Sequence, residues 1–157
     1  MVNIIKSDRT KFNVGKDTAK RTYNGVVFDS VLEMKYYRDV ILPRVGSGEI
    51  VKYELQKPYI LQPEFRRDNK KVPAITYVAD FYLEYKDGTS KVVDVKGMPD
   101  AVAKLKRKMF WYTHPEVDYR WVSFSAIDSG WCDYEYIVKR RRERKKLKKA
   151  KEEGLKL

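Results

Sequence analysis

Residues 78–97 read VADFYLEYKDGTSKVVDVKG, and this stretch decides how the chain is organised. Asp87-Gly88 separates two runs rich in β-branched and aromatic residues, Ile75–Tyr85 and Ser90–Lys96, which is the pattern of a β-hairpin. Side chains alternate faces along a strand, so Asp94 and Lys96 share one face while Val93 and Val95 point into a core. Asp80 lies near the middle of the partner strand, within reach of that pair. It stands in an otherwise apolar run, Tyr77-Val78-Ala79-Asp80-Phe81, where an unpartnered carboxylate is costly to bury. Two carboxylates and an ammonium thus converge on one patch of sheet. Carboxylate oxygens suit Mg²⁺, and an ammonium suits a phosphate oxygen or a metal-bound water, a combination fitted to phosphodiester chemistry. An ordinary ion pair between Asp94 and Lys96 on a solvated strand is the simpler alternative.

Outward from the hairpin, the remaining elements follow from periodicity and punctuation. Upstream, Arg21–Phe28 is broken by Asn24-Gly25 and reads as a short strand or tight hairpin. A helix is expected from about Ser30 to Pro43, with Val31, Leu32, Met34, Tyr36, Tyr37, Val40 and Ile41 as its apolar positions. Gly46 and Gly48 mark a loop, and Ile50–Leu61 reads as extended, with Pro58 suggesting an edge or a bend. Glu64–Lys71 is charged and reads as a surface excursion. Downstream, Gly97 and Pro99 punctuate before a second helix over Asp100–Tyr112, then a strand over Val117–Ser125 and a basic helix from Tyr134 to about Lys151. The order helix, three strands, helix, strand, helix implies an α/β domain, a central mixed β-sheet flanked by helices with a basic C-terminal helix. The expected division is a flexible segment over 1–20, a folded domain over 21–131 and a basic helix or tail over 132–157.

Composition narrows the function. Apolar residues make up 43% of 157, with twelve Tyr, six Phe and three Trp, enough for one domain with a genuine core. No run of about 18 apolar residues exists, and MVNIIKSDRTKFNV lacks a secretory apolar stretch, so a cytoplasmic protein without a membrane span is expected. The net charge is +12, of which residues 139–157 carry +8 from eleven Lys/Arg and three Glu. A basic tail on a modestly basic body suits a polyanionic partner such as nucleic acid, although a solvated helix would look the same. The lone Cys132 excludes an internal disulfide and a multi-cysteine zinc site, and reads as a small, partly buried residue. The only histidine, His114, precedes Pro115 at a helix end, which excludes two-histidine acid–base catalysis. No G-x-x-x-x-G-K-[ST] loop is present, so no nucleotide cofactor is expected.

Two further groups are candidates. Glu33 follows Ser30 at the spacing of a capping box, in which the Glu reaches back to the N-cap amide. The spacing favours that role, and a carboxylate at this helix start could also face a metal. On the second helix, Lys104 and Lys108 fall on one face, separate from Ala101, Leu105 and Met109. They read either as a solubilising face or as contacts to backbone phosphates, and Arg140, Arg141 and Arg142 of the tail read the same way.

The order Glu33, Asp80, Asp94-Val95-Lys96 resembles the PD-(D/E)XK nuclease superfamily. More closely, FDSVLEMKYY (28–37), LQKPYILQP (55–63), YVADFYLEY (77–85), VVDVKG (92–97) and KLKRKMFWYTHP (104–115) are similar to a family of small phage-encoded proteins that includes Holliday-junction resolvases. The resemblance covers about residues 21–125. It implies that Asp80 and Asp94 bind metal, that Glu33 completes the shell, and that Lys96 positions the attacking water or stabilises charge on the phosphate. Ala79 stands where the superfamily name expects proline. The resemblance further implies a Mg²⁺ cofactor (Mn²⁺ as the alternative), a branched-DNA substrate, a homodimer matching the symmetry of a four-way junction, and action in the cytoplasm of a phage host. A nuclease of duplex, flap or single-stranded DNA, or a non-catalytic nucleic-acid-binding protein, are the competing expectations.

Overall fold

The computed structural model describes residues 17–154, so most of the N-terminal segment expected to be flexible, residues 1–16, lies outside the described residues. Ala19–Arg21 forms a single 3₁₀ turn. Strands β1 (Thr22–Tyr23) and β2 (Val26–Val27) close a tight hairpin at Asn24-Gly25, both at positive φ (48° and 75°), the turn that residues of this type favour.

The first helix is one rod of three parts: α1 (Val31–Tyr36), a π-helical stretch (Tyr37–Ile41) and α2 (Leu42–Gly46). Sequence placed its end at Pro43, yet it runs to Gly46. Pro43 has no N–H to return to the preceding turn, and the wider π turn ahead of it accommodates that loss, so the rod bends its bonding pattern instead of stopping.

A 13-residue strand, β3 (Ile50–Gln62), leads into the small hairpin of β4 (Phe65–Arg67) and β5 (Lys70–Val72), then into β6 (Ile75–Tyr85) and β7 (Ser90–Val95). The stretch Glu64–Lys71 is thus the surface excursion expected, folded as a hairpin. Its turn residues Asp68 and Asn69 have φ of 48° and 60°, which Asp and Asn tolerate better than most. Helix α3 (Ala101–Thr113) crosses back so that β8 (Tyr119–Ser125) lies parallel to β7, and β9 (Gly130–Asp133) turns antiparallel against β8 before α4 (Tyr134–Gly154). The result is α/β: a five-stranded mixed sheet in the order β3-β6-β7-β8-β9, flanked by helices, with a basic C-terminal helix. Pro58 sits in β3, an edge strand, where its missing N–H costs no ladder bond on the open side. No helix among the described residues is long and apolar enough to cross a membrane.

Both faces of the sheet are covered. On one, Phe28, Met34, Tyr36, Tyr37 and Ile41 from the first helix and its approach pack against Phe81, Leu83, Val93, Val95 and Val122. On the other, Phe110 of α3 is fully buried among Tyr77, Tyr119 and Trp121. Val93 and Val95 therefore face the core as expected, and so does Val92 on the opposite side. On α3 the packing face is Ala103, Met109 and Phe110; Leu105, although on a different face from Lys104 and Lys108, is 58% exposed.

The boundary drawn between 131 and 132 falls inside β9, and the basic helix is not a detached tail. Ile137 is fully buried and Tyr134 packs edge-on against Trp121 at 5.7 Å. Further along, Arg144 grips Asp128 with Nη1–Oδ1 and Nη2–Oδ2 contacts of 2.6 and 2.9 Å, and Ser125 Oγ donates to Asp128 Oδ2 at 2.7 Å. Arg144 first, then Ser125, holds the Asp128 carboxyl well below the usual carboxylate range. The helix is free of the body only beyond this clamp.

Candidate active site

The β6–β7 ladder runs from Glu84↔Ser90 to Phe81↔Val93 and stops. The next residues in line are Asp80 and Asp94, and here side chains take over from the backbone. Asp80 N–H donates to Asp94 Oδ1 at 2.9 Å, and Val95 N–H donates to Asp80 Oδ2 at 2.9 Å. The strands fork: β7 stays with β8 through Asp94↔Trp121 and Val95↔Val122, and Lys96 N–H continues to Val122 O at 2.8 Å. Meanwhile β6 continues with β3. The acids are therefore fixed at the point where the sheet opens.

Across β6 the other neighbour is distorted too. Leu55 pairs with Phe81 and Lys57 with Ala79, so Gln56 lies opposite Asp80, and Gln56 has φ 55°. Leu55 and Phe81 belong to the core under the first helix, whereas Tyr59, Leu61, Tyr77 and Ala79 belong to the core under α3. A left-handed residue in mid-strand costs on the order of 1 kcal/mol, and here it lets the β3–β6 ribbon change layers at Asp80.

Asp80 and Asp94 are only 2% and 1% exposed. The Lys96 ammonium, its side chain 15% exposed, lies 2.7 Å from Asp94 Oδ2, as an ion pair more than a well-directed hydrogen bond. Burial opposes its charge, but Asp94, Asp80 and Glu33 together outweigh burial and hold the amine above the usual lysine range. Glu33, 3% exposed, thus belongs to the same electrostatic group. It also caps its helix: Ser30 Oγ accepts from Glu33 N–H at 3.1 Å and donates to Glu33 Oε1 at 3.0 Å, so the Ser30 hydroxyl meets the carboxylate.

Trp121, Arg107 and Tyr119, none of them singled out by the sequence as belonging to the acidic centre, complete the surroundings. Trp121, brought beside Asp94 by the parallel pairing, lies with its ring 5.6 Å from Lys96 Nζ and 4.2 Å from Arg107 Cζ. Arg107 is stacked between Trp121 and Trp111, also at 4.2 Å, and pairs with Glu135 on α4. Trp121 Nε1–H donates to Tyr119 OH at 2.6 Å, and Tyr119 shares a hydrogen bond with Tyr77. Burial, then the charges of Asp94 and Asp80, pushes the Tyr119 phenol far above its usual range, so it stays neutral. Alternation in β8 placed Trp121 on one face, but nothing local says which strand it faces.

The other candidates are separate from this centre. Lys104 and Lys108 are exposed on α3, which begins at Ala101, shortly after Lys96. Arg141 and Arg142 are exposed on α4, while Arg140 is engaged with Asp128 at 3.5 Å and Glu143 at 2.9 Å. His114 ends α3, with Nε2 3.1 Å from Ile60 O, and Cys132 donates its thiol to Asp128 O at 2.9 Å, both structural roles.

Among the described residues no three Asp, Glu, His or Cys side chains close on one point as a ready-made metal cage. Asp80 Oδ1, however, is buried without a hydrogen-bond partner among the described residues. A buried carboxylate oxygen left unsatisfied is costly, and a hard cation is a group that would satisfy it. Asp80 and Asp94, with Glu33 in the same electrostatic group, offer only oxygen donors, the kind that Mg²⁺ or Mn²⁺ takes. No curated protein matches the chain. A family model matches residues 10–129, and the chain belongs to that family, DUF1064, described as a protein of unknown function.

Proposed function

We propose that the protein is a metal-dependent, structure-selective endodeoxyribonuclease of the PD-(D/E)XK kind that cuts four-way DNA junctions in the cytoplasm of a phage host. One observation carries the reading: two buried carboxylates replace ladder bonds at a strand fork, with Asp80 Oδ1 unsatisfied and the Lys96 ammonium 2.7 Å from Asp94 Oδ2. Asp80, Asp94 and Glu33 would hold Mg²⁺ or Mn²⁺, which when bound supplies an acidified water and offsets charge on the phosphate. Lys96 supplies a cation for the charge that develops on the phosphate oxygens. The Trp121 ring lies beside that cation and is itself stacked on Arg107. Lys104, Lys108, Arg141 and Arg142 contact backbone phosphates and set register without reading bases.

The described residues include no separate module for reading base edges, so selectivity would come from DNA shape. Two subunits with one site each would nick a four-way junction symmetrically, matching its two-fold axis. The test is cleavage of matched four-way, flap, single-stranded and duplex DNAs at equal protein and Mg²⁺. Paired nicks in the junction, with duplex cut much more slowly, are expected. Asp80→Asn and Asp94→Asn should stop cutting while leaving binding largely intact. Preference for flaps or single strands removes the junction assignment; cleavage of none, or full activity in chelator, removes the nuclease.

A further inference from the structure

The hairpin Phe65–Val72 stands beyond the last rung of the β3–β6 ladder, Gln62↔Ile75, and its residues are exposed except for half-buried Val72. Its register places Arg66 opposite Lys71 and Arg67 opposite Lys70. Directly opposed like charges destabilise a strand pair, and a two-stranded hairpin is marginal to begin with. Compensation within the chain is partial: Lys71 reaches Glu64 at 2.8 Å, Arg67 reaches Asp68 at 3.8 Å with both largely exposed, and none of the described ion pairs engages Lys70. Because side chains alternate, one cation pair projects from each face of the ribbon. The tight Asp68-Asn69 turn, both residues at positive φ, keeps the two strands together as one twisted arm.

A single basic face would suit any acidic surface. Cations on both faces suit an arm with phosphates on either side. We infer that the Phe65–Val72 hairpin enters DNA between two phosphate-bearing strands, Arg66 and Lys71 meeting one and Arg67 and Lys70 the other. B-form DNA offers such a space, since its major groove, about 12 Å wide, admits a two-stranded β-ribbon, whereas the deep, narrow groove of A-form RNA does not. The inference takes DNA as partner from the reading above but needs no cleavage.

The experiment uses the full chain in EDTA, with fluorescence-anisotropy salt titrations on a labelled four-way junction and a duplex. Arg66→Ser/Lys71→Ser and Arg67→Ser/Lys70→Ser are compared with the parent. Each pair should lower the slope of log K against log salt by about 1.8, two contacts at about 0.9 each. Neither pair should lower Tm, because facing cations have been removed. If only one pair changes the slope, the arm lies on a surface and insertion is wrong; if neither does while the parent binds, the hairpin takes no part. Unchanged DNA binding with weakened binding to polyglutamate would make it an acidic-protein surface instead. A parent that binds through the hairpin yet cuts nothing leaves this inference standing and removes only the nuclease.

Discussion

Lys96→Met tests whether the fork is an electrostatic unit. Methionine keeps much of the aliphatic stem beside Trp121 and deletes the charge. Asp94, 1% exposed and 2.7 Å from the lost ammonium, then loses that ion pair, and the positive charge that Lys96 also presents to Asp80 and Glu33 goes with it. Removing one partner of a buried pair costs about 3–5 kcal/mol. The Lys96 side chain retains 15% exposure, so water can enter and the lower end, about 3 kcal/mol, is expected. For a chain of this size that is a Tm drop of roughly 6–12 °C. The assay is urea unfolding in EDTA with an unchanged m-value, repeated with saturating Ca²⁺. Bound divalent ion at 100 times its Kd stabilises by about 2.7 kcal/mol, so the variant, whose carboxylates lack the Lys96 charge, should gain more from Ca²⁺ than the parent. Asp94→Asn/Lys96→Met should recover most of the loss, since neither charge is then orphaned. A single variant within about 1 kcal/mol of the parent in EDTA would refute the reasoning, because the fork carboxylates would then need no compensation.

Three further outcomes follow from the packing and the tail. Phe110→Ala should cost about 3–5 kcal/mol in urea unfolding, because Phe110 is fully buried with Tyr119, Tyr59 and His114 rings 4.4–5.0 Å away; a loss below about 1 kcal/mol would mean α3 does not anchor that face. Arg144→Met should lower Tm at neutral pH. Asp128 is depressed in the folded state, so the stability it contributes is present above its unfolded value of about 3.9 and is lost as pH falls through the folded value. The gap between Arg144→Met and parent should therefore narrow below about pH 4; a constant gap from pH 7 to 3 would refute the clamp. Truncation after Arg144 keeps the clamp and Ile137, so the fold should survive while the salt slope of DNA binding falls by about 0.9 per lost phosphate contact; an unchanged slope would make the distal helix a solubility device.

Local sequence was enough wherever a signal and its structural partner lie close in the chain. Asp87-Gly88 closes the β6–β7 hairpin with Thr89 N–H on Asp87 Oδ1 at 2.9 Å and Gly88 at φ 84°, and Ser30 caps the first helix three residues before Glu33. Asp80, Asp94 and Lys96 could likewise be placed together, because hairpin pairing and two-residue alternation fix their faces. Other features depend on partners distant in sequence. Gly130–Asp133 has little strand propensity of its own and is a strand because β8 offers it an edge, which is why a boundary read between 131 and 132 falls inside β9. Apolar spacing on α3 could not show that Leu105 would be left outside, since the face is chosen by what Phe110 meets. The fork itself required β7 to leave β6 for a parallel partner reached only through α3. That choice brings Trp121 beside Asp94 and leaves the two carboxylates to complete the backbone hydrogen bonds where the strands separate.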